Sequence, residues 1–189
     1  MIISRAQDGI GLVEVVVALL LLAVAVLGFS ALNMVSVKAT DDSVLIANAN
    51  TLMRGLSEDL RLNPSSISIY QKNIQGVLGN VSSTKDYCAA VKDYKTISVK
   101  RNCDSGSCTG VELSNYNSWR AMKQACNNGV LLNMITCPGT DNKQLRQCII
   151  ASWNGTDPVF GTSSDSSKAC ANASGIYHAG SDCLIMESY

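Results

Sequence analysis

Between residues 10 and 37 the only charged side chain is Glu14, and from Val15 to Val37 there are 23 consecutive residues without a charge. At 1.5 Å per residue that run makes about 34 Å of helix, enough to cross a bilayer. A segment of this kind cannot fold as an ordinary amphipathic surface helix, because no polar side remains to face water. Residues 38–189 carry 14 basic and 13 acidic groups. The sequence therefore joins an apolar helix to a polar body. Arg5 and the initiator amine before the span place the N-terminus on the cytoplasmic side by the positive-inside rule.

All eight cysteines lie in the polar body: Cys88, Cys103, Cys108, Cys126, Cys137, Cys148, Cys170 and Cys183. An even number confined to the part that follows the span predicts disulfides formed in an oxidising compartment. Zinc is the weaker reading, since close C-x₂₋₄-C knuckles usually mark such sites, the nearest spacing here is Cys103-x₄-Cys108, and His178 is the sole imidazole. No metal or other cofactor is expected. Fifteen Lys and Arg against fifteen Asp and Glu leave no net charge, and no basic cluster stands out, which excludes a nucleic-acid binder. P-loop, G-x-G-x-x-G, G-x-S-x-G and metal motifs are absent, and His178 has no base or oxyanion motif beside it, so an enzyme is not expected. Trp119 and Trp153 are expected in the core.

The long helix is expected to continue beyond the span, with Leu45, Ala49, Leu52, Leu56 and Leu60 forming one apolar stripe, and to end near residue 62 ahead of Pro64. Residues 64–85, rich in Ser, Asn and Gly, read as a connection. Strands are expected at Tyr94–Lys100, Gly129–Thr136 and Gln147–Trp153, with a turn at Pro138–Asn142 and a short helix over Asn115–Gln124. Gly155–Lys168 reads as loop, and Gly175–Tyr177 with Leu184–Met186 as a last strand pair. The fold class is α+β: a long N-terminal helix packed on a small antiparallel sheet.

Ahead of the span, Gly9-Ile10-Gly11-Leu12-Val13-Glu14 resembles the type IV pilin signature: a leader ending in Gly, a hydrophobic first mature residue and Glu at the fifth mature position. Ile10 stands where Phe is usual and Gly11 where Thr is usual. The runs EVVVALLLLAVAVLGFSAL and MRGLSEDLRLNPSS are similar to those of PilV-type minor pilins over about the first 65 residues. The resemblance implies cleavage between Gly9 and Ile10 by a prepilin peptidase, N-methylation of Ile10, and an assembly role for Glu14. It divides the chain into a leader (1–9), a transmembrane or filament-core half of the helix (10–37), an amphipathic half (38–63) and a disulfide-rich periplasmic or extracellular domain (64–189). The implied partners are other minor pilins and the major pilin, the peptidase, the pilus assembly platform and the inner membrane. A type II secretion pseudopilin shares the same N-terminal pattern. A secreted disulfide-rich binding module with a conventional signal, cleaved near Gly28–Ala31, is the third reading; Glu14 argues against it because an ordinary signal core has no use for a carboxylate.

Eight cysteines allow 105 pairings. Cys103 and Cys108 flank Asp-Ser-Gly-Ser, a tight turn suited to joining them. Cys170 and Cys183 look like the pair that closes the C-terminal loop of many pilins. For the other four the expectation is Cys126 with Cys137 and Cys88 with Cys148.

Overall fold

The computed structural model describes residues 11–79, 84–92, 102–140, 145–161 and 168–188. Packing divides the chain into two units, one up to Val44 and one from Leu45 onward. Helix α1, Leu12–Leu62, is continuous through that boundary. In the first unit its side chains are exposed almost throughout.

In the second unit α1 buries one stripe, Ala49, Leu52, Met53, Leu56 and Leu60, with Leu45 half-buried at its start. These positions recur three and four residues apart and so share a face. The helix stops where Asn63 leaves helical geometry (φ −139°, ψ 66°), as expected of a residue whose following proline disfavours the α region.

Beyond Pro64 the structure corrects the expected connection. Pro64–Ser66 forms a 3₁₀ turn, Ile67–Leu78 is helix α2, and Thr84–Lys92 is helix α3. The polar composition hides an amphipathic face: Tyr70, Ile74 and Val77, at i, i+4 and i+7, are fully buried while Gly76 and Gln75 face outward. Burial against the rest of the core outweighs the weak propensity of the intervening Ser, Asn and Gly.

Helix α4 spans Gly110–Asn127, starting five residues before the expected Asn115. Its start is set by Thr109, whose Oγ1 accepts the Glu112 N–H while Glu112 accepts the Thr109 N–H, a reciprocal capping box. At its other end the Val130 N–H donates to the Ala125 carbonyl and the Gly129 N–H to the Cys126 carbonyl. That pairing needs a left-handed residue, which Gly129 supplies at φ +70°. Trp119 and Met122 both lie in the core, and the Trp119 Nε1–H donates to the Val91 carbonyl at 3.1 Å.

Strands β1 (Leu131–Thr136), β2 (Gln147–Ser152) and β5 (Cys183–Ser188) form an antiparallel sheet in the order β1-β2-β5, and β3 (Asp157–Gly161) pairs in parallel with β4 (Ala169–Asn172). β3 corrects the loop expected over 155–168, and β4 was not foreseen. The expected final pair does not form either: β5 lies beside β2, and Tyr177 bridges Ala171 instead. The Tyr94–Lys100 strand expectation lies outside the described residues. Trp153, Ile149, Ala151, Leu132 and Met134 complete a core shared with α1, α2 and α4. Buried Ser57 on α1 and Ser188 on β5 meet at 3.0 Å, so a hydrogen bond satisfies both hydroxyls inside it. The architecture is α+β.

All eight cysteines are paired: Cys88–Cys126, Cys103–Cys108, Cys137–Cys148 and Cys170–Cys183. The pairs Cys126–Cys137 and Cys88–Cys148 are therefore corrected. Cys88 sits on α3, a helix that the sequence reading had not anticipated, and α3 packs against α4, which carries Cys126. Cys137 and Cys148 face each other across the β1–β2 hairpin, where Cys148 registers opposite Ile135 and the Cys137 N–H donates to the Arg146 carbonyl. In the chain-entropy picture the bridge enclosing 38 residues contributes about 4 kcal/mol and the one enclosing 5 about 2. Replacing Cys88 and Cys126 together by Ala should lower the unfolding free energy by about twice as much as replacing Cys103 and Cys108, as read from denaturant titrations without reductant. Equal losses would show that loop closure does not set the ranking.

Candidate functional site

The feature with most chemical consequence is the first unit's part of α1. From Leu12 to Val37 its large apolar side chains are exposed on every side of the helix: Leu12 at 81%, Leu21 at 68%, Phe29 at 67%, Leu32 at 72%. Successive residues such as Leu19, Leu20, Leu21 and Leu22 are all exposed, so no single stripe accounts for the pattern. The helix is long and apolar enough to cross a membrane, which is compatible with membrane anchoring. Two of its hydroxyls are turned back onto the helix itself. Ser30 Oγ donates to the Val26 carbonyl at 2.8 Å and Thr40 Oγ1 to that of Ser36 at 2.9 Å, so neither hydroxyl proton is left unpaired.

Glu14 is the exception. It occupies the first turn, where its N–H and that of Val15 both donate to the Gly11 carbonyl, at 2.9 and 3.4 Å. A carboxylate there is favoured by the positive end of the helix dipole. Its side chain is exposed and no described residue forms an ion pair with it. Gly9 and Ile10, the residues expected to flank a cleaved bond, lie outside the described residues.

The second unit carries a polar cluster that sequence reading missed. Arg120 on α4 reaches Asp59 on α1 at 3.6 Å and Asp104, beside the Cys103–Cys108 turn, at 3.8 Å; the Tyr116 hydroxyl also donates to Asp104. Asn63, at the end of α1, donates from Nδ2 to the Gly110 carbonyl and to Ser114 Oγ, both at 3.0 Å. A Cβ on Gly110 would come within 3.3 Å of that amide, so the approach of α4 to α1 here favours glycine. Residues 59, 63, 104, 110 and 120 have no common spacing, and only the packing of α4 on α1 brings them together.

This cluster holds elements together. Its basic group is committed to two carboxylates, and among the described residues no three His, Cys, Asp or Glu side chains converge on a metal position. His178, expected on an exposed loop, is half-buried in the segment closed by Cys170–Cys183, and its backbone N–H donates to the Cys170 carbonyl. A cleft of about 570 Å³ lies between α2, β1 and β3 and is lined by Leu78, Leu131, Ile135 and Val159 together with Gln75, Asn133, Asp157 and Lys168. Its two amides are already engaged, Gln75 with the Met134 carbonyl and Asn133 with that of Pro158.

Burial pushes the Asp59 carboxyl above its ordinary range, while the Arg120 charge and hydrogen bond pull it back only in part. A raised folded-state value means that the fold favours the neutral acid. That contribution is present below the unfolded value of 3.8 and is lost as pH rises through the folded one. Asp59→Asn should therefore gain melting temperature relative to the wild type as pH is raised from about 3 to about 7. A difference that stays constant with pH, or shrinks as pH rises, would contradict this.

Comparison with known proteins bears on the same regions. Residues 31–119 match the family model described as Tt1218-like, type IV pilin Tt1218. The match covers just under half of the chain, from within the apolar part of α1 to Trp119 on α4, and it does not include Gly9 to Glu14. No curated protein and no solved structure matches the chain. The family match rests on residues other than the N-terminal motif, and it supports a type IV pilin family and a pilin-type structural role.

Proposed function

We propose that the chain is a minor pilin of a type IV pilus, an inner-membrane subunit that primes or joins pilus assembly after its leader is removed. The observation that carries the proposal is one helix, Leu12–Leu62, apolar on all sides up to Val37 except for Glu14 and amphipathic from Leu45 onward. The first part suits lipid and then the packed helices of a filament; the second is the core helix of a disulfide-bonded body. On this reading residues 1–9 are the leader, 10–37 the transmembrane or filament-core segment, 38–63 the amphipathic half and 64–189 the periplasmic, later surface-exposed, domain. Four disulfides fit an oxidising periplasm. The prepilin peptidase cuts between Gly9 and Ile10 and methylates Ile10. Other minor pilins, the major pilin and the assembly platform are the partners. A type II secretion minor pseudopilin would use the same N-terminal chemistry.

Glu14 supplies the assembly chemistry. A carboxylate in hydrocarbon is poorly solvated and must be paired or neutralised. The new amine on Ile10, of the same subunit or of a neighbour, carries the opposite charge. Such a pair sets axial register between helices that are otherwise uniformly apolar. Removing one member of a buried pair typically costs about 3 to 5 kcal/mol, because the other charge is stranded.

Glu14→Ala should therefore stay in the membrane with four intact disulfides yet be lost from sheared pili or fail to support piliation, and Glu14→Asp should be intermediate. Incorporation of Glu14→Ala at wild-type stoichiometry would eliminate the charge-pair mechanism. Intact mass of the processed protein tests the rest. A methylated chain beginning at Ile10 is expected, with Gly9→Val accumulating as uncut precursor; an N-terminus near Leu32 would establish conventional signal cleavage. Scoring pili and twitching against protein secretion in a deletion strain separates the pilus from the secretion reading.

A further inference from the structure

Among the described residues the three-stranded sheet ends in two edge strands, β1 and β5, and an edge strand presents unpaired N–H and C=O groups that can template another chain. In an antiparallel ladder, alternate residues turn these groups toward the partner strand and away from it. The side-chain contacts show which residues turn outward. On β1 it is Met134: its N–H donates to Asn133 Oδ1 at 2.8 Å and its carbonyl accepts from Gln75 Nε2 at 3.0 Å. Met134 registers with Ile149, and Ile149 with Met186. The alternation then points Met186 inward and its neighbour Ile185 outward on β5, where the Ile185 N–H donates to the Tyr177 hydroxyl at 2.9 Å.

The outward groups at the middle of each edge are thus met by side chains from elsewhere in the fold. Asn133 is buried at 3% exposure, and its Nδ2 also donates to the Pro158 carbonyl at 2.7 Å, which fixes the amide in place. Gln75 comes from the exposed side of α2. Tyr177 is held by its bridge to Ala171 and by the adjoining Cys170–Cys183 bond between β4 and β5. The cleft of about 570 Å³ beside β1 leaves room for an incoming segment, so bulk alone does not close that edge.

We propose that Gln75, Asn133 and Tyr177 are edge guards that keep an extended segment of a second copy of this chain from adding to the sheet. Self-association is thereby confined to surfaces other than the sheet. The inference does not depend on the pilin reading, because it concerns only the second unit and is read on purified protein.

The test uses the full chain in detergent micelles. Tyr177→Phe removes a single oxygen, and Gln75→Ala removes one amide from an exposed position. At low concentration the Ile185 amide of Tyr177→Phe should exchange with solvent about tenfold faster than in the wild type, the scale of one lost hydrogen bond. The double variant should self-associate, by sedimentation, at protein concentrations about tenfold lower than the wild type, since each edge then has a released backbone group. Protection of Ile185 should return as concentration rises. Wild-type exchange and wild-type association in variants with native near-ultraviolet dichroism would overturn the proposal. If Gln75→Ala loses that dichroism, Tyr177→Phe alone decides: faster exchange with concentration-dependent re-protection supports edge guarding, and unchanged exchange refutes it.

Discussion

Every other feature of this protein follows from the burial of a helix that cannot be satisfied by water. Leucines, valines and alanines on all sides of Leu12–Val37 give that segment no polar face, so a bilayer or a bundle of similar helices is the environment that removes its apolar surface from water. At roughly 25 cal/mol per Å² of apolar area, the free energy involved exceeds that of any single polar contact in the chain. Against that background one carboxylate has a large effect. Apolar contacts are non-directional and tolerate sliding, whereas a charge in the same environment is sharply position-dependent.

The polar body solves a different problem with the same helix. From Leu45 the apolar positions narrow to one stripe, and the second unit closes over it with α2, α4 and the sheet. Few aromatic residues are available, at 5% of the chain, so Tyr70, Tyr87, Tyr116, Trp119 and Trp153 are each placed in the core. Four disulfides limit the unfolded chain's freedom. Asn63 and the Asp59–Arg120–Asp104 contacts then fix how α4 lies on α1 within this unit. The half-exposed ion pairs there contribute orientation more than stability, since exposed charges are well screened.

The polar contacts of the second unit hold its elements together. Several polar groups brought together by folding are matched with one another: Arg120 with two carboxylates, Gln75 and Asn133 with backbone carbonyls, and Tyr177 with a backbone amide. The raised Asp59 faces its own partner, Arg120.

What the sequence determined by itself is everything that depends on neighbours along the chain. The absence of charge from Val15 to Val37, the stripe from Ala49 to Leu60, the stop before Pro64 and the strand signals at residues 129–136 and 147–153 are local or periodic, and the structure realises each of them. The Thr109-x-x-Glu112 box was equally local and readable, and would have placed the start of α4 correctly. Tertiary structure alone decided the rest. α2 exists because Tyr70, Ile74 and Val77 find a core to enter, which no propensity of a Ser- and Asn-containing segment foretells. The partner of Cys88 depends on α3 lying against α4, and the partner of β5 on which edge of the sheet it joins. Such choices are made by the free energy of burying surfaces far apart in sequence, and one chain's order of residues does not display the surfaces that will meet.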